Sequence, residues 1–207
     1  MKILNLFCGI GGNRTLWGNE HEITAIENDQ KIAGIYLKRF PNDIVIVGDA
    51  YQYLELHYAE FDFIWASPPC PTHSKLMFMQ EKKKLPDMRL YSIILFLTHH
   101  YYGKWIIENV KSYYEPLIKP TAIVDRHYIW SNFKINTKRH FIDRKSFDYL
   151  SIKDFKKINQ VNEENVTRKM LRNMNLPEVG KYILDSIHTK TLDNWMEFGE
   201  EELESDR

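Results

Sequence analysis

An α/β fold with a mostly parallel sheet and helices on both faces is the class this chain predicts. Two observations carry it. Short apolar runs alternate with stretches of helical spacing through the first half of the 207 residues, and alternation of that kind builds parallel sheets. Two of the runs end in unusual turns, Cys8-Gly9-Ile10-Gly11-Gly12 and Pro68-Pro69-Cys70-Pro71. The carboxyl ends of strands in an open α/β sheet are where ligands and reactive groups collect.

Strands are expected at residues 2–7, 22–27, 44–47, 61–66 and 105–107, with helices at 30–40 and 89–102. In the first helix Ile32, Ile35 and Leu37 mark an apolar side, and Pro41 ends it. Residues 128–135 read as a further strand turning near Asn132, and 143–172 as polar, basic and irregular or weakly helical. Pro177 suits the first position of a helix running to about residue 188, because its missing N–H costs nothing there. The acidic stretch 197–207 is expected to fray.

Composition sets the bounds. A chain of 207 residues, 43% hydrophobic and 14% aromatic, builds one sizeable core and is not disordered. No apolar stretch approaches the roughly eighteen residues of a membrane span, and no signal-peptide pattern opens the chain. Two cysteines in dissimilar surroundings make no disulfide framework, so a reducing cytoplasm, bacterial or phage-infected, is expected. The zero net charge conceals a gradient: residues 71–172 hold 20 basic and 10 acidic side chains, while both flanks are acidic. A phosphate backbone responds to that local field rather than to the total. A solvated surface accounts for the Lys82-Lys83-Lys84 run equally well.

A lone cytoplasmic cysteine is ordinarily a small buried hydrophobe. Cys70 differs by its place, after an apolar strand and between prolines that fix the backbone on both sides. The turn Cys8–Gly12 lets backbone approach a ligand, although its spacing is not the GxGxxG of dinucleotide enzymes. Glu27, closing the second strand, can accept hydrogen bonds from both hydroxyls of a ribose. Asp49 can take an adenine amine; each carboxylate serves equally as a helix N-cap. Glu108 sits at the end of another buried strand, where burial favours a proton-bearing carboxyl able to donate to a base nitrogen.

In this order, Leu6-Phe7-Cys8-Gly9-Ile10-Gly11-Gly12, Pro68-Pro69-Cys70 and Glu108-Asn109-Val110 resemble the cytosine-5 methyltransferase family over residues 1–110. The resemblance implies a Rossmann-like methyltransferase using S-adenosylmethionine, with no metal. It makes Cys70 the nucleophile toward C6 of a flipped cytosine and Glu108 the group holding N3 and the amino group. By the same resemblance Phe7, Gly9, Ile10, Gly11, Gly12, Glu27, Asn28, Asp49 and Pro68 cradle the cofactor. Ser74, Lys75, Lys82, Lys83 and Lys84 belong to a loop expected to close over double-stranded DNA.

The later chain resembles the family less closely. Of the family's Arg-x-Arg element only Arg126 is present, Val124 standing at the other place. Arg126 is expected on cytosine O2, with a surface salt bridge as the alternative; His127 is expected to be merely packed or solvated. Residues 172–180 look like the closing cofactor motif, which brings in Asn175. Asn5 stands where the family usually has Asp, Pro71 where it has Gln, and Asn28 where an apolar residue covers the adenine. None of these removes a chemical step.

The expected organisation is a catalytic core at 1–142, a small basic recognition insertion at 143–172, a closing helix at 173–190 and an acidic tail at 191–207. About thirty residues are too few for an independent recognition core. A short target site, a specificity partner or a second subunit is therefore implied. A compact enzyme of this kind suits a phage protecting its DNA from restriction. A tRNA-directed enzyme and a catalytically idle nucleic-acid-binding module are the competing readings. A nicotinamide oxidoreductase fails on glycine spacing.

Overall fold

The computed structural model describes residues 1–74, 85–136 and 151–187. Seven strands form one sheet: β1 Lys2–Leu6, β2 Glu22–Glu27, β3 Ile44–Val47, β4 Phe63–Ala66, β5 Lys104–Val110, β6 Ala122–Val124 and β7 His127–Ser131. Six α-helices are described: α1 Gln30–Arg39, α2 Ala50–His57, α3 Arg89–His100, α4 Ile152–Ile158, α5 Arg168–Arg172 and α6 Pro177–Ser186.

The strand order is β3-β2-β1-β4-β5-β7-β6. The first five are parallel, and β7 runs antiparallel to both β5 and β6. The order reverses direction between β1 and β4, and a crevice opens outside the carboxyl ends of strands at such a reversal. The glycine turn follows β1 and the proline turn follows β4. Topology alone thus carries both motifs to one place.

Side-chain alternation along the central strands feeds two core layers. Leu4, Leu6, Ile26, Ile64 and Ala66 face one side with Ile93, Ile94 and Leu97 of α3. Ile3, Ile23, Phe63, Trp65 and Ile106 face the other with Val179 and Ile183 of α6. Helix starts are set by short acceptors: Asp29 Oδ1 accepts from the Lys31 and Ile32 amides at 2.8 and 3.1 Å. Pro177 occupies the first turn of α6, as its fixed φ favours.

A third cluster joins Phe155, Val161, Val166 and Leu171 to Ile10, Ile35 and Met174. The basic segment, in its described part 151–172, is thereby packed on α1 and the glycine turn. Arg39 stitches the same parts together, donating to the Ile10 carbonyl, to Thr15 Oγ1 at 3.0 Å and to the Asn159 carbonyl at 3.3 Å. Where the sequence suggests irregular or weakly helical chain, two short helices form, started by Ser151 and Thr167, whose side chains accept from the amides of Asp154 and Met170. Their apolar anchors fall at intervals that fit no single period.

Other boundaries shift. Strand β5 runs on through Val110, so Glu108 lies inside it instead of after it, and β7 stops at Ser131. Helix α2 and the three-residue β6 carry too little apolar pattern to be read from sequence. Among the described residues no helix is long and apolar enough to cross a membrane.

Helix α6 presses on the 3₁₀ turn Asn13–Leu16 through Gly180, where an added Cβ would collide with the Asn13 backbone. Backbone cannot swing aside as a side chain does. Gly180→Ala should therefore cost about 1–3 kcal/mol through overpacking, each kcal/mol lowering the midpoint by roughly 2–4 °C in a chain of this size. Thermal denaturation checks this; an unchanged midpoint would contradict the close packing.

Candidate active site

The glycine turn is built on left-handed backbone. Phe7, Gly9 and Gly11 have φ of 55°, 55° and 78°; this is easy for glycine and unusual for phenylalanine. Phe7 is held edge-on to Tyr51 with centroids 4.9 Å apart. The Cys8 amide donates to the Ile26 carbonyl at 3.1 Å, and the Gly11 amide donates to the Cys8 carbonyl at 2.9 Å. Cys8 itself is buried, and burial pushes its thiol well above the ordinary range.

Glu27 binds the ends of two strands together. Its Oε2 accepts from the Gly9 amide at 3.0 Å and its Oε1 from the Asp29 amide at 3.0 Å. Of the roles open to the two acidic residues, Asp49 takes the N-cap: Oδ1 accepts from the Tyr51 and Gln52 amides at 2.8 and 3.2 Å. Glu27 caps no helix; that place at α1 belongs to Asp29. Asn28 and Asp49 are exposed.

The residues grouped as a cofactor cradle divide in two. Cβ atoms at Gly9 and Gly48 would meet nothing within 4 Å, so the space over the ends of β1 and β3 is open. Gly11 and Gly12 are packed instead. A Cβ at Gly11 would strike the Phe40 and Tyr36 rings, and one at Gly12 the Asn175 carbonyl. Ile10 is buried in the third cluster.

The proline turn holds Cys70 at the other side of the crevice. Pro68 is buried, and its carbonyl accepts from Asn109 Nδ2 at 3.0 Å. Asn109, 2% exposed, is a brace that sequence reading passed over, although it stands in the quoted Glu108-Asn109-Val110. Beyond Cys70 the chain turns at once, its carbonyl accepting from the His73 and Ser74 amides at 3.0 and 3.1 Å. Ser74 bridges to Ser112. Lys75, Lys82, Lys83 and Lys84 lie outside the described residues.

Cys70 is partly buried, and its thiol is pushed above its ordinary range by burial and then by the charge of Glu108. Its own backbone contact and Arg126 act in the opposite direction. All three residues proposed for chemistry therefore share one electrostatic environment. Arg126 sits at the tip of the two-residue turn joining β6 and β7, after Asp125 at φ 49°. Its Nη2 donates to the Arg172 carbonyl at 2.8 Å, which ties that hairpin to the chain entering α6.

Glu108 is 8% exposed on β5. Its Oε1 accepts from Asn175 Nδ2 at 3.0 Å, so the Asn175 amide is turned to the carboxylate. Its Oε2 is buried with no hydrogen-bond partner. A buried acceptor left open in this way is costly unless something else supplies the donor. His127, expected to be only packed, places Nε2 3.7 Å from that oxygen.

A family model described as C-5 cytosine-specific DNA methylase matches residues 1–116, more than half of the chain. The chain belongs to the C-5 cytosine-specific DNA methylase family. Its fold is the Rossmann-like one of S-adenosylmethionine-dependent methyltransferases, and S-adenosylmethionine is the family's cofactor. The unobstructed backbone at Gly9 and Gly48, with the Glu27 carboxylate bonded to the Gly9 amide, leaves room for such a molecule.

Similar solved structures include a putative DNA modification methyltransferase encoded within an Escherichia coli prophage, at 17% identity and TM-score 0.42. That match covers 66% of this chain and 49% of the other, so the family member described here aligns with about half of the prophage protein. A conserved hypothetical protein of Streptococcus pyogenes is similar at 14% identity and TM-score 0.43, over 68% of this chain and 90% of that one. No match was found among curated protein sequences.

Proposed function

We infer that this family member transfers a methyl group from S-adenosylmethionine to C5 of cytosine in double-stranded DNA, through a covalent bond from Cys70 to C6. The observation that carries the reading is Glu108. Its one free oxygen is buried in the same electrostatic environment as Cys70, the less buried of the two thiols at the sheet's switch point.

Cytosine C5 is a weak nucleophile in an electron-poor ring. Addition of the Cys70 thiolate to C6, with Glu108 hydrogen-bonded or donating at N3, makes C5 enamine-like. Bound S-adenosylmethionine supplies the electrophilic methyl. Loss of the C5 proton then re-forms the C5–C6 double bond and expels the thiolate. Phe7, Glu27 and Asp49 would hold the cofactor, and Arg126 would meet cytosine O2. Attack at C6 and methyl transfer at C5 need both faces of the ring free of stacked neighbours, so the proposed reaction requires the cytosine to flip out.

The test is transfer of labelled methyl from S-adenosylmethionine to duplex DNA and to unmodified tRNA in parallel, with nucleoside analysis. 5-Methylcytosine in DNA is the expected product. Label in tRNA alone would place the enzyme on RNA. Cofactor binding without label in either would favour an idle module or dependence on a second subunit.

The ionisation of Cys70 supplies a second, substrate-free expectation. Because burial and Glu108 hold the thiol above its ordinary range, little thiolate exists near neutrality and alkylation should be slow there. Removing the Glu108 charge lowers that pKa, so Glu108→Gln should alkylate faster at fixed pH. Arg126→Ala removes a lowering influence and should alkylate more slowly. Mass spectrometry of the Cys70 peptide after timed iodoacetamide treatment distinguishes the two; identical rates would contradict the shared environment.

A further inference from the structure

We propose that His127 is the positioning residue for Glu108, sharing with it the single proton that cytosine N3 receives during thiolate addition. The inference rests on the function proposed above and assigns a role to a residue that it leaves idle.

The sheet enforces the pairing. His127 lies directly opposite Val110, and Glu108 opposite Ile129. Residues two apart on a strand share a face, so Glu108 and His127 are diagonal neighbours on one side of the β5–β7 pair. The measured approach is 3.7 Å from Nε2 to Oε2, with the two side chains 17% and 10% exposed. Asn175 occupies the other oxygen at 3.0 Å. The carboxyl is thus gripped on one side, while its other oxygen has beside it, at 3.7 Å, a group that can carry a proton.

The charges around the imidazole are mixed. Burial lowers its pKa, and Arg126 and Lys111 lower it further; Glu108 and Asp125 oppose them. Burial outweighs the opposing carboxylates, so the imidazole holds a proton less tightly than a free one, and Glu108 is the largest influence that keeps it there. In the addition step Oε2–H breaks as N3–H forms and Cys70 Sγ bonds to C6. A shared proton that starts on Nε2 passes to Oε2 first, so the pair gives up one proton and no more. On elimination N3 releases its proton back to the pair, leaving the charge balance unchanged.

A rate that needs both the Cys70 thiolate and the protonated pair is level between the two pKa values and falls outside them. Removing His127 lowers the proton affinity of the pair. Hence His127→Gln should move the acid-side midpoint of kcat to lower pH and lower the plateau together. A one-unit shift corresponds to a tenfold loss, with the alkaline limb and the KM values unchanged. A lower kcat with an unmoved midpoint would overturn the proposal.

The second measurement needs no activity. Histidine resonances of the wild-type chain are titrated by NMR, His127 being the signal missing from His127→Gln. In Glu108→Gln the His127 midpoint should fall, since an opposing negative charge is gone; an identical midpoint overturns the proposal. If wild type transfers no methyl to DNA but this shift is seen, the coupling stands and the proposed substrate fails.

Discussion

Cys70→Ala should reduce methyl transfer to the level of an enzyme-free control while leaving S-adenosylmethionine binding intact. The separation follows from the topology. Cys70 stands after β4, whereas the turn and carboxylates assigned to the cofactor stand after β1, β2 and β3. Pro68, whose carbonyl is fixed by Asn109, holds the turn whatever side chain follows it. Alanine also removes a thiol whose charged form the site resists, so no folding penalty is expected from lost charge. Isothermal titration with the cofactor, run beside the methyl-transfer assay, reads both quantities. Surviving turnover would refute the covalent route; lost cofactor binding would refute the separation of the two half-sites.

Asp43→Ala should destabilise the chain more than any single surface change, by about 3–5 kcal/mol. Asp43 accepts from Arg14 Nε at 2.9 Å, Arg14 Nη2 at 3.1 Å and Tyr36 Oη at 2.9 Å. The side chains of Arg14 and Asp43 are only 5% and 3% exposed. Deleting the carboxylate strands a guanidinium away from water, with only the Gly18 carbonyl at 2.8 Å as hydrogen-bond acceptor and the Phe40 ring 5.1 Å away among the described residues. The damage should spread, because Arg14 lies in the 3₁₀ turn against which α6 packs. Chemical denaturation is the measure, and a loss below about 1 kcal/mol, the usual worth of an exposed pair, would show that the ion pair is not effectively buried.

The parallel half of the sheet was legible because its strands are continuous apolar runs. Glu22–Glu27 and Ile44–Val47 fall where the pattern puts them. The two motifs proposed for chemistry were legible for another reason: a thiol between prolines after one apolar run and a carboxylate within another are unusual placements, and topology had few ways to keep them apart. What was not legible depends on contacts distant in sequence. His127 acquires its neighbour from a strand register, and Asn175 meets Glu108 across 67 positions. Asp49 shows the limit of residue type: one carboxylate suits a cap and a ligand equally, and only the structure shows Oδ1 in the cap, accepting from the Tyr51 and Gln52 amides.

The stitching by Arg39 bears on how specificity can be exchanged. In a modular enzyme a reading element is a cassette that can be swapped between relatives without disturbing the engine. Here Phe155 and Leu171 share a core with Ile10 of the glycine turn, and one guanidinium spans the Ile10 and Asn159 carbonyls. Transplanting residues 151–172 as a block would remove the support of the glycine turn at the same time. On the proposed reading of this segment as the recognition insertion, a new target would be sought through individual exposed side chains of α4 and α5, with their buried anchors kept in place.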